Sequence, residues 1–88
     1  MIPFTFSKPH AFLGGTYFSI CLRGKQRGLL FRNHILPQFN DRWYLNIFAS
    51  ADHYAPRIAR VPLGKGDCEY ARQAASRILP FFLVKQRP

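Results

Sequence analysis

Acidic residues are nearly absent from this chain: Asp41, Asp52, Asp67 and Glu69 are the only four in 88 residues, against thirteen lysines and arginines. Acid–base or metal chemistry built on paired carboxylates has almost no raw material here, since Asp67 and Glu69 sit where a helix start needs them. Cysteine is equally scarce. Cys21 and Cys68 form no CxxC pair and have no Cys/His cluster at zinc spacing around them, so we read them as two reduced thiols, one on a strand and one at a helix start. Long apolar runs are missing too. Ala11–Leu22 is interrupted by Gly14 and Gly15, and Ile78–Val84 by Pro80, so both fall well short of the roughly 20 residues of a membrane-spanning helix. No HExxH, GxSxG or P-loop pattern occurs. His10, His34 and His53 stand alone in predicted loops, and Asp52-His53 reads as a polar loop. We therefore expect a non-enzyme with no metal, no cofactor and no membrane partner.

What is present is positive charge on an apolar scaffold. The formal charge is +9 and 48% of the residues are hydrophobic, which separates the chain from a disordered polycation. A chain this short makes one domain and buries only about 60% of its unfolded surface. Ten of the thirteen cations fall at or before Arg72, so a solvated basic tail does not account for the charge. Self-repulsion of this size is relieved by an anionic partner. The first acid is Asp41, giving the N-terminal third the charge profile of an organellar presequence. We expect that segment to be retained and ordered, in the cytoplasm of a bacterial or phage-infected cell, with an organelle as the other compartment.

Along the chain, residues 1–13 carry Pro3 and Pro9 among scattered aromatics and read as an extended arm, with one short edge strand at most. Residues 16–32 read as a hairpin: Thr16–Leu22, a basic Gly-containing loop over Arg23–Gly28, then Leu29–Arg32. Residues 43–63 read as a strand pair. In Trp43–Ala49 a period of two sets Trp43, Leu45 and Ile47 on one face and Tyr44, Asn46 and Phe48 on the other. In Arg57–Leu63, Arg57, Ala59, Val61 and Leu63 alternate with Ile58 and Arg60, and Pro62 marks an edge. A helix is predicted over 67–79. Asp67 caps it, Glu69 favours the positive end of its dipole, Ala71, Ala74, Ala75 and Ile78 form its inner stripe, Arg72 points away, and Pro80 stops it. Phe81–Val84 then supplies an edge strand or a cover for the core. The predicted fold is α+β: a three- to four-stranded antiparallel sheet with one C-terminal helix packed on one face.

If the helix covers the Trp43/Leu45/Ile47 face, the opposite face presents Tyr44, Asn46, Phe48 and Arg60. Arg42, Arg57 and Lys65 stand at its ends, with Arg23, Lys25 and Arg27 in the nearby loop. Cations that displace counterions along phosphates, together with flat or forked groups that address bases, are what nucleic-acid binding requires. The competing arrangement has Tyr44 and Phe48 covered by the arm or by Phe81–Val84, leaving an ordinary solvated charge distribution.

Three short motifs, Arg42-Trp43-Tyr44, Val61-Pro62-Leu63-Gly64 and Ala71-Arg72-Gln73-Ala74-Ala75, give Gly28–Leu79 a pattern that resembles the N-terminal arm-type DNA-binding domain of phage and mobile-element tyrosine recombinases. The resemblance implies a sheet that enters the major groove of duplex DNA, with Tyr44, Asn46, Arg57 and Arg60 facing the bases. These 88 residues hold no core-binding or catalytic domain and no nucleophilic tyrosine context, so the resemblance implies a stripped-down DNA binder or regulator and not a recombinase. The expected partner is nucleic acid, DNA before RNA. Two further readings stay open: a phage-encoded inhibitor that occupies an acidic host protein or ribonucleoprotein surface, and a small RNA-associated protein of ribosomal type.

Overall fold

In β3 (Gly15–Leu22), Phe18 and Ile20 expose no surface, whereas Tyr17 and Ser19 beside them are half-buried. The period of two thus sorts the strand into an inner and an outer face. The computed structural model describes residues 4–49 and 56–83. It contains five further strands, β1 (Phe4–Phe6), β2 (His10–Phe12), β4 (Lys25–Asn33), β5 (Trp43–Phe48) and β6 (Arg57–Gly64), and one helix, α1 (Cys68–Leu83). The strands form one antiparallel sheet in the order β1-β3-β4-β5-β6, with β2 also paired to β3. Leu30, Trp43, Leu45 and Ile47 extend the buried row of Phe18 and Ile20 across the sheet, and α1 lies over it. Ala71, Ala75 and Leu79, spaced i, i+4 and i+8, are fully buried, and two alanines let the helix axis approach the sheet closely. Ala74 and Ile78 flank that stripe, half-buried.

The passage from β6 into α1 is fixed by three contacts. The indole Nε1–H of Trp43 donates to the Gly66 carbonyl at 2.9 Å, the Tyr70 hydroxyl donates to the Leu63 carbonyl, and the Tyr70 amide donates to the Asp67 carboxylate at 2.8 Å. The last is the expected N-cap. A Cβ on Gly66 would lie 2.4 Å from the Tyr70 ring, so glycine is required for that ring to close over the turn.

The sheet has six strands, not three or four, because the N-terminal arm is not simply extended. β1 pairs with the end of β3 (Phe4 opposite Leu22) and β2 with its beginning (His10 opposite Tyr17). Between them Ser7 bridges the gap: its amide donates to the Ser19 carbonyl and its hydroxyl accepts from the Ser19 amide, both at 2.9 Å. The outer edge of an eight-residue strand is thereby satisfied along its length. Strands of three residues are too short to show a period, so at most one short edge strand was expected in the arm.

Three other expectations change. The basic loop contracts to a two-residue turn, because Arg23 and Gly24 adopt φ of 55° and 81°, the paired positive values of a type I′ hairpin turn. β4 therefore begins at Lys25. The helix does not stop at Pro80 but runs through it to Leu83. The bond lost there is to the carbonyl of Ser76, an exposed residue open to water, while Leu79 beside it is fully buried and holds the turn down. Phe81–Leu83 is accordingly helix and not an edge strand, and Val84 lies outside the described residues. Arg72 does not point away: it is half-buried with its guanidinium 5.5 Å from the centre of the Phe18 ring. The Asp52-His53 pair also lies outside the described residues. Among the described residues Cys21 and Cys68 are free thiols, and no helix is long and apolar enough to cross a membrane.

Candidate nucleic-acid interface

The face opposite α1 is built by the residues that the inner row leaves over. Register aligns His10, Tyr17, Phe31, Tyr44 and Pro62 in one rank across the sheet, and Ser19, Leu29, Asn46 and Arg60 in the next. The first rank is a run of rings. His10 stacks on Tyr17 (centroids 5.0 Å apart, planes at 23°), and Phe31 on Tyr44 (5.9 Å, 25°). The β4–β5 connection folds back so that Phe39 stands edge-on to both Phe31 (5.1 Å) and Tyr44 (5.2 Å). From the other side Phe12 meets Tyr17 edge-on at 5.5 Å. A shallow groove of about 380 Å³ opens between these two banks. Phe12 and Tyr17 form one wall, Phe31 and Phe39 the other, and Leu29, Asn46 and Arg60 complete the lining.

Arg60 joins the polar and aromatic parts. Its Nε–H donates to Asn46 Oδ1 at 2.8 Å, and its guanidinium lies 5.2 Å from the centre of the Phe39 ring and 5.5 Å from that of Phe31. Desolvation lowers its pKa first and the neighbouring Arg57 cation second, with Tyr44 acting in the opposite sense. An arginine stays charged at any working pH, so Arg60 is a permanent cation on this face. The described carboxylates are engaged elsewhere: Asp41 pairs with Arg32 at 3.4 Å, Asp67 caps α1, and Glu69 pairs with Arg72 at 2.6 Å. The bond from Arg72, followed by that from Gln73, holds the Glu69 carboxyl below the usual range. Among the described residues no acid faces Arg57 or Arg60.

The expected site residues do not all gather on this face. Arg60 lines the groove and is exposed, whereas Tyr44 is half-buried against Phe31 and Phe39 and does not line it. Asn46 points to the expected side but is buried, at 7% exposure, because Leu29 opposite it and Arg60 beyond it close over it. Arg57 joins the open face by a route the alternation did not foresee. A register irregularity between Ile47 and Phe48 sets it opposite Phe48, in line with the outer residues. Phe48 is half-buried at the end of β5. Arg27 is tied down: its guanidinium donates to the Phe48 carbonyl at 3.2 Å and the Ala49 carbonyl at 3.1 Å, capping the β5 terminus. Arg23 and Lys25 are exposed at the β3–β4 turn, which the register sets at the same end of the sheet as Arg57. Arg42 and Lys65 are exposed at the other end, beside Trp43 and Gly64. The cations thus flank the face at both ends, with Arg60 between them.

Among the described residues the cover over Tyr44 is Phe39, from the β4–β5 connection. Tyr17, Phe31, Phe39 and Phe12 are the site residues that sequence reasoning missed. The signal for Tyr17 and Phe31 was present in the alternation of their strands, Phe18 inward and Tyr17 outward, Leu30 inward and Phe31 outward. It became legible only with the strand pairing known. Phe39 carried no signal, since it sits in a connection without periodicity. Among the described residues no group of three or more His, Cys, Asp or Glu could hold a metal ion. No family model, no curated protein and no solved structure matches this chain.

Proposed function

We propose that this chain is a non-enzymatic nucleic-acid-binding module that meets its partner with the sheet face opposite α1. The observation that carries the reading is Arg60. It is a cation set among aromatic rings beside a second cation, Arg57, on a face that no described carboxylate neutralises. A phosphate placed between Arg57 and Arg60 would supply the missing counter-charge, and Arg23, Lys25, Arg42 and Lys65 would extend the contact along a backbone. Duplex DNA is the form implied by the resemblance to the arm-type domains, and it is the first target to titrate. Affinity for a short duplex is expected to fall steeply with salt, and Arg60→Ala is expected to weaken it and to reduce the slope of log K against log[salt] by about one. Anisotropy titrations showing no binding at low salt would remove the proposal.

One observation favours a protein partner as the second reading. Leu13 (86% exposed), Ile35 (51%) and Leu36 (43%) are large apolar side chains left uncovered. They are held on neighbouring turns, because the buried Asn33 side chain donates to the Leu13 carbonyl and accepts from the Ile35 and Leu36 amides. An acidic host protein that also covers this corner fits the inhibitor reading, and a stoichiometric partner recovered after nuclease treatment would support it. The ribosomal-type reading keeps the charge and the aromatic content as its motives, but not a freely extended arm, since Phe4–Phe6 and His10–Phe12 pair with β3.

A further inference from the structure

The open face is not flat, and its relief bears on which form of nucleic acid it can hold. A duplex offers a protein the edges of its bases, because their faces are stacked on one another. The walls of the groove offer the reverse. Phe12 and Tyr17 on one side and Phe31 and Phe39 on the other line it with aromatic side chains, an apolar surface suited to a planar group whose own face is free. The lining is apolar except for Asn46 and Arg60, and this is the balance of a site that takes a flat, partly polar ring. Arg60 engages Asn46 through Nε alone of the five N–H donors on its fork. The cations, not the groove, supply the complementarity to phosphate: Arg60 stands at the groove, Arg57 beside it, and Arg23 and Lys25 at the same end of the sheet.

We infer that the groove between Phe12/Tyr17 and Phe31/Phe39 seats an unstacked nucleobase, so that this face holds single-stranded nucleic acid more tightly than a duplex of the same length. The inference rests on the nucleic-acid reading above and narrows it. Base seating adds an energy that does not depend on salt to a phosphate contact that does. Single-strand affinity should therefore exceed that of an abasic strand of equal charge by the same factor at about 50 and at about 200 mM salt, because a salt-independent term leaves the slope of log K against log[salt] unchanged.

The test uses the full chain and four labelled probes of equal length: oligothymidylate, oligouridylate, an abasic deoxyribose-phosphate strand of the same charge, and a DNA duplex. Oligothymidylate or oligouridylate is expected to bind roughly tenfold or more tightly than the abasic strand, as one aromatic-stacked base contributes. Phe39→Leu keeps an apolar side chain in the β4–β5 connection but removes the ring, and should bring that ratio close to one. Phe12→Ser, at an already exposed position, should reduce the ratio without a question of folding. A preference for the ribose or the deoxyribose strand tells RNA from DNA as the source of the base. Equal binding of all four probes, falling in parallel with salt, overturns the groove while leaving the nucleic-acid reading intact. So does tighter binding of the duplex that neither variant alters. Binding of none of them overturns both.

Discussion

Replacing Arg60 by alanine removes a charge-bearing fork that touches three groups at once, and the consequence for folding can be worked out separately from any partner. The buried Oδ1 of Asn46 loses the Nε–H that it accepts from at 2.8 Å. An orphaned buried acceptor costs about 1–3 kcal/mol. Two ring contacts at 5.2 and 5.5 Å are lost as well, each about 0.5–1 kcal/mol where water reaches the cation. Arg60 is itself exposed, and its removal lets water approach Asn46, so the lower part of the combined range applies. A net loss of roughly 2 kcal/mol, at the bottom of a combined range of about 2–5 kcal/mol, corresponds in a domain of this size to a fall in Tm of about 8–16 °C. Trp43 is the only tryptophan and is fully buried, so its fluorescence through a urea titration reports the change. The decisive comparison is a double-mutant cycle. Asn46→Leu together with Arg60→Met removes donor and acceptor alike, and replacing both partners by apolar groups is close to neutral. The two single changes should therefore be more destabilising in sum than the pair, by at least about 0.5 kcal/mol. Additive effects, or an Arg60→Ala variant as stable as the parent, would refute the claim that Asn46 and Arg60 form one buried–exposed unit on the open face.

Three further outcomes follow from the same structure. Gly15→Ala would set a Cβ 1.8 Å from the Arg32 carbonyl, a backbone atom that cannot swing aside. It should cost more than about 2 kcal/mol in a urea titration, whereas Gly24→Ala, with open space but φ of +81°, should cost about 1–2 kcal/mol. Asp67→Ala removes the acceptor for the Tyr70 amide and should lower stability by about 1 kcal/mol, with faster amide exchange confined to the first turn of α1. The Glu69 carboxyl is held below its ordinary range by Arg72 and then Gln73. Its small stabilising effect is therefore present above that range and lost as pH falls through the lower folded-state value. Acid titration of the helical circular dichroism signal should show this loss in the parent and not in Glu69→Gln.

Alternation and chain punctuation in the amino-acid sequence determined the inner half of this protein. Trp43, Leu45 and Ile47 could be set together on one face because a strand repeats every two residues. Asp67 could be placed at the N-cap because an orphan amide there needs an acceptor, and Pro62 marked the edge strand because it has no N–H to give. Charge was equally legible, since a count of thirteen cations against four acids needs no coordinates. Tertiary structure alone decided the outer half. Whether Tyr17, Phe31 and Tyr44 form a rank depends on which residues lie opposite one another, and register is set by pairing partners distant in the chain. Arg57 reached the open face, and Arg27 was drawn off to cap β5, through irregularities that no period encodes. Phe39 built a wall of the groove from a connection whose path follows from the packing around it. Periodicity is a property of a strand by itself, whereas a surface belongs to the strands together.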